Sequence, residues 1–155
     1  MTLKQPLGVL IVEDEALLAH ELSFLVREAG LADIGHAMNS DEARRLARAL
    51  RPNLSLVDVH LQDGPTGVEV VREIVDHSDG VALFMTANLR RLPEDFAGAC
   101  GVIAKPYSDQ GVKTALAYLE TCLVDGRAPG PPPVGLTLSP PFARRWGLTE
   151  ALEAG

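Results

Sequence analysis

The sequence predicts an α/β protein in which five parallel strands, each followed by a helix, form one doubly wound sheet covered on both faces. Three observations predict it. Short, continuous apolar runs recur along the chain, as strands buried on both faces require. Each is followed by a segment with apolar residues at helical spacing. The two patterns alternate, and parallel strands need such crossovers because a tight turn cannot join them.

Residues 7–12 (LGVLIV) form the first predicted strand. The helix after it carries Leu18, Leu22, Leu25 and Val26 on one face and ends near Gly30. Residues 32–37 supply a second strand. Asn39 or Ser40 caps a helix over about 40–50, with Ala43, Leu46, Ala47 and Leu50 inward, before Pro52. Residues 54–59 (LSLVDV) are the third strand, and 62–66 (QDGPT) is turn chemistry. Thr66 and Glu69 stand at capping-box spacing at the start of a helix that carries Val68, Val71, Ile74 and Val75. The fourth strand is 81–86 (VALFMT), followed by a short helical stretch over 88–97 that Pro93 interrupts. The fifth strand is 101–104, and a last helix from about Ser108 carries Val112, Ala115, Leu116, Leu119 and Leu123.

The composition changes after Val124. Residues 125–133 (DGRAPGPPP) form an extended linker, and six of the chain's 11 prolines fall in 129–141. Residues 139–152 suit a short amphipathic helix, with Ser139 as cap and Phe142, Trp146 and Leu152 as its apolar residues. Trp and Phe are costly to leave exposed, so this tail is expected to dock on its own domain or on a partner. The expected division is a domain over 1–124 and a linker and tail over 125–155.

Net charge is −7, and it lies in the first 124 residues, which hold 11 Lys/Arg against 18 Asp/Glu. Such a surface is a poor match for nucleic acid or an anionic membrane and suits a cation. No apolar run is long enough to cross a bilayer, and residues 1–6 lack the features of a signal peptide, so a cytoplasmic protein is expected. Cys100 and Cys122 lack CxxC spacing and are expected as reduced thiols near the core. The glycines form neither a P-loop nor GxGxxG.

In a parallel sheet, four strand ends meet at one edge. They carry Glu13 and Asp14, then Asp58, then Thr86, then Lys105 with Pro106. Three crowded carboxylates invite a divalent cation, and hard oxygen ligands favour Mg2+. Asp58 can act as a nucleophile toward a phosphoryl group. Mg2+ and Lys105 would neutralise the charge on that group, and the Thr86 hydroxyl can donate to one of its oxygens.

The motifs VLIVEDE, LVDVHLQDG, MTA and AKP, in this order on these strand ends, make residues 7–124 resemble the receiver domain of two-component response regulators. The resemblance implies a flavodoxin-like sheet in the order 2-1-3-4-5. It implies a signalling protein rather than an enzyme, with Mg2+ as cofactor and a histidine kinase or phosphotransfer protein as phosphoryl donor. Asp58 would be the phospho-acceptor and a metal ligand. Asp14 would hold the metal directly, Glu13 mainly through water, and His60 through its backbone carbonyl. Thr86 would bind the phosphoryl group and move with it. Lys105 would pair with that group, and its bond to Pro106 would be cis. Ala87 would be small enough to leave the phosphate reachable. The 31 residues after Val124 are few for an ordinary output domain. The expected output is therefore binding of an unknown downstream protein, or relay or drainage of phosphate, by a monomer or weak homodimer.

The chain departs from the pattern in two places. Many receivers carry Tyr or Phe three residues before the lysine, where this chain has Val102, so coupling through a turning ring cannot operate in that form. The stretch between Thr86 and Lys105 is short and contains Pro93, so the output surface is expected to differ, with Arg90 and Arg91 either partner contacts or part of a solvated loop. His20, His36 and His77 read as surface or boundary residues, Asp63 as turn, Asp41 and Glu42 as first-turn acids, and Glu15 as solvated. Two other functions compete. A haloacid-dehalogenase-type phosphatase needs a second Asp two residues after the nucleophile, where this chain has His60. A non-phosphorylated pseudo-receiver would not need Glu13, Asp14, Asp58, Thr86 and Lys105 together.

Overall fold

The computed structural model describes residues 5–148; Leu152, expected on the tail helix, lies outside them. The strands are β1 (Gly8–Val12), β2 (Ala32–Ala37), β3 (Leu54–Asp58), β4 (Val81–Thr86), β5 (Gly101–Ala104) and β6 (Leu136–Leu138). The helices are α1 (Ala16–Glu28), α2 (Ser40–Leu50), α3 (Gly67–His77), α4 (Asp109–Asp125) and α5 (Pro140–Arg145). They form one sheet in the order β2-β1-β3-β4-β5-β6. The first five strands are parallel, as expected.

Successive side chains of a strand point to opposite faces, and here both faces are buried. Val9 and Ile11 of β1, Leu54 and Leu56 of β3 and Leu83 and Met85 of β4 join α1 and α4 in one core. Leu10, Val12, Val57, Ala82 and Phe84 join α2 and α3 in the other. This explains why the central strands read as continuous apolar runs rather than alternating ones. Among the described residues, no helix is long and apolar enough to cross a membrane.

The five-stranded expectation needs one correction. β6 adds a sixth strand, antiparallel to β5, with Gly101 opposite Leu138, Val102 opposite Thr137 and Ile103 opposite Leu136. Gly101 permits this approach, since a Cβ there would lie 2.3 Å from the Thr137 carbonyl oxygen. Leu136 and Leu138 turn inward while Thr137 faces out. Ser139 then caps α5 by accepting from the Phe142 amide, and Phe142 meets Trp146 edge to face at 5.1 Å. Leu136, Leu138, Phe142, Ala143 and Trp146 are buried in the α1/α4 core. The tail therefore docks on its own chain. The Tyr118 hydroxyl fastens the proline-rich linker by donating to the Gly130 carbonyl at 2.7 Å.

Smaller differences have local causes. Asn39, not Ser40, caps α2, accepting from Glu42 N while Glu42 accepts from Met38 N. Leu50, expected inward, sits in the last turn of α2 and is 40% exposed. Thr66 makes no cap bond to α3 because its hydroxyl donates to Asp63 at 2.8 Å. The stretch 88–97 holds no α-helix but two single 3-10 turns, Leu89–Arg91 and Phe96–Gly98, on either side of Pro93.

Gly67 opens α3 directly against the end of β3. A Cβ there would lie 2.1 Å from the Asp58 carbonyl oxygen and 2.7 Å from Val59 Cα, and backbone cannot yield as a side chain can. Gly67→Ala is expected to lower the unfolding free energy by about 2–3 kcal/mol, read by urea denaturation. A midpoint equal to that of the parent chain would contradict this packing.

Candidate functional site

The carboxyl ends of β1, β3, β4 and β5 converge at one edge of the sheet. The loop leaving β1 is held by the Glu13 amide donating to the Ala37 carbonyl at 2.9 Å. This turns the Glu13 side chain inward, where it is 3% exposed, and leaves Asp14 half-buried at the rim. Asp58 ends β3 with its side chain 15% exposed. Oxygens of Glu13, Asp14 and Asp58 all lie within 4.8 Å of one another.

Lys105 reaches into this cluster from the end of β5. Its Nζ donates to Asp58 Oδ2 at 2.7 Å and to Glu13 Oε1 at 3.2 Å. Its backbone amide donates to the Thr86 carbonyl at 2.9 Å, fixing the end of β5 to the end of β4. The Lys105–Pro106 peptide is cis. Thr86 is buried at the end of β4, and its Oγ1 accepts from the Asn88 amide at 3.1 Å. Ala87 follows on the exposed side. His60 donates its amide to Asp58 Oδ1 at 3.1 Å, while its imidazole lies on an exposed residue.

The electrostatics follow from burial. Burial, and then the neighbouring Asp58 carboxylate, push Glu13 up to about 7 against the opposing pull of Lys105. Burial pulls the Lys105 ammonium down, but hydrogen bonding and attraction from Asp58, then from Glu13, outweigh it and hold the group above its ordinary value. One ammonium thus faces three carboxylates. That imbalance of charge, made entirely of oxygen donors, fits a hard divalent cation such as Mg2+. Glu13, Asp14 and Asp58 are the side chains that would hold it.

Other candidates fall elsewhere. Val102 is 1% exposed and packs on the α2/α3 side of the sheet, in the core that contains Phe84. Arg90 and Arg91 are exposed. His36 pairs with Asp33 at 2.8 Å, and Cys100 and Cys122 are buried free thiols. Two residues near the site escaped sequence reasoning. Asp63, read as turn alone, accepts from both the hydroxyl and the amide of Ser40 as well as from Thr66, joining the start of α2 to the loop after β3. Tyr107, two residues after Lys105, packs against the α1/α4 core with a buried hydroxyl. Its place directly after Lys-Pro is the signal that marks it.

Residues 9–117 match the family model described as "Response regulator receiver domain". The chain belongs to the response-regulator receiver family. Over 111 residues it is 33% identical to the phyllosphere-induced regulator PhyR of Methylorubrum extorquens, covering 70% of this chain and 42% of that protein. The solution structure of the PhyR receiver domain of Erythrobacter litoralis is similar, with a TM-score of 0.64 at 26% identity over 84% of this chain and 98% of that one. So is a crystal structure of the anti-anti-sigma factor PhyR from Bartonella quintana, a double mutant, with a TM-score of 0.64 at 26% identity over 77% of this chain and 49% of that one. The chain thus spans less than half the length of the Methylorubrum relative it matches.

Proposed function

We propose that this chain is a phosphorylation switch. Asp58 accepts a phosphoryl group from a histidine kinase or phosphotransfer protein, and the change in charge alters which protein the domain binds. The observation that carries the reading is the Lys105 ammonium bridging Asp58 and Glu13 beside Asp14. Asp58 is the nucleophile, and Lys105, whose ammonium donates to Asp58 Oδ2 at 2.7 Å, balances charge on the transferred group. When bound, Mg2+ would neutralise phosphoryl oxygens. Thr86 Oγ1 places a further donor at the same edge. The anti-anti-sigma function named for the Bartonella protein supports partner switching as the output.

Glu13 makes the site sensitive to pH. Its folded-state value of about 7 lies above its ordinary 4.5, so its contribution to stability is fully present below about 4.5 and is lost as pH rises through 7. A divalent cation relieves the same repulsion that the proton relieves. Below pH 7 the cation must displace that proton. The rise in melting temperature caused by Mg2+ is therefore expected to be larger at pH 8 than at pH 6, by thermal denaturation at matched ionic strength. An equal or larger rise at pH 6 would contradict the assignment of Glu13.

The function is tested by incubating the chain with a small phosphodonor. The expected result is one phosphoryl equivalent per chain, dependent on Mg2+. Sustained turnover far beyond one equivalent would favour a phosphatase and overturn this reading.

A further inference from the structure

The site lacks the aromatic residue that reports its state in many receivers, because Val102 occupies that place and faces the α2/α3 core. Another aromatic stands on the other side. Tyr107 follows Lys105 by two residues, so any displacement of the lysine main chain is passed to it across one intervening residue. Its ring packs against the core that α1 and α4 share. Its hydroxyl is buried and has no hydrogen-bond partner among the described residues. An unpaired buried hydroxyl is costly, so a state that supplies an acceptor is favoured over one that does not.

The surroundings of that hydroxyl face two ways. Burial holds this phenol above its ordinary value, and the charges that act on it are Lys105, Glu13 and Asp58 of the site and Glu21 of α1. Glu21 lies in the middle of an exposed α1 stripe. Leu17 and Phe24, four residues before it and three after, are 67% and 54% exposed, large apolar side chains at helical spacing. Tyr107 thus stands between the charged cluster and a helix that presents apolar groups to solvent.

We propose that Tyr107 couples the state of Asp58 to α1, acting as the positioning residue that Val102 cannot be. The proposal rests on Asp58 being the phospho-acceptor. A phosphoryl group there competes for the Lys105 ammonium and brings new acceptor oxygens to the cluster. The lysine shifts, and the waiting hydroxyl turns from its unpaired position toward an acceptor. The ring carries that movement into the α1/α4 core. The phosphoryl group need only favour the paired arrangement over the unpaired one.

Tyr107→Phe separates this role from packing, because it keeps the ring and removes the hydroxyl. The experiment follows amide resonances by NMR as beryllofluoride and Mg2+ are added to the parent and variant chains. The expected result is that amides around Asp58 respond equally in both, while the response along Leu17–Phe24 falls at least threefold in the variant. An α1 response of equal size in Tyr107→Phe overturns the coupling and leaves Asp58 as acceptor. So does a parent chain whose Asp58 region responds while α1 stays still. No response anywhere in the parent chain overturns the acceptor reading and the coupling with it.

Discussion

Trp146→Ala is expected to lower the unfolding free energy by about 3–5 kcal/mol, among the largest effects of any single substitution in this chain. Trp146 is 4% exposed, and its ring closes the α1/α4 core from the tail side. It packs edge to face on Phe142, whose other environment includes the Arg145 guanidinium 4.3 Å from the ring centre. The indole also stands where the linker returns, since the Ala128 amide donates to the Trp146 carbonyl at 2.9 Å. Removing it leaves a cavity against α4 and weakens the anchor of β6, whose three residues cannot hold the edge of β5 unaided. Urea denaturation followed by circular dichroism checks this. A loss under about 1 kcal/mol would mean that the tail is only loosely attached, because a well-packed indole does not leave so cheaply.

The second large effect concerns Lys105. In Lys105→Ala the ammonium between Asp58 and Glu13 is gone, and three carboxylates remain with no cation among them. Mg2+ is expected to bind at least as tightly, since it no longer competes with a fixed positive charge. Phosphoryl transfer from a small donor is expected to slow by roughly 100- to 1,000-fold, the loss typical of removing one group aimed at developing charge. Mg2+ binding is kept or strengthened while transfer falls, so general damage to the site cannot mimic the result. A transfer rate within threefold of the parent chain would remove Lys105 from the mechanism.

The sequence carried most of this architecture in strong, local signals. Val9 to Val12 are buried on both faces, so their apolar run is continuous and the strand is plain. Once five such strands are parallel, residues as distant as Glu13, Asp58, Thr86 and Lys105 must share an edge, and the structure places them there. What stayed hidden depended on contacts distant in sequence. The three residues of β6 have no readable period, and their strand exists because Gly101 leaves room for Thr137. Phe142 and Trp146 announced a docking segment, but nothing in their neighbourhood says which surface receives it. The bond from Thr66 to Asp63 defeated a sound capping pattern, because a side chain chooses among partners that spacing alone does not reveal. Tyr107 is hard to read for a similar reason. Its place after Lys-Pro marks it in the sequence, but the burial of its hydroxyl, unpaired among the described residues, is legible only in the fold.

Everything proposed for this site depends on Asp58 carrying the phosphoryl group. Intact-mass measurement after incubation with a small phosphodonor and Mg2+, run in parallel on the parent chain and on Asp58→Asn, tests it most directly. The expected result is a single phosphoryl mass on the parent chain and none on the variant. The same added mass on Asp58→Asn would place the acceptor elsewhere and contradict the site described above.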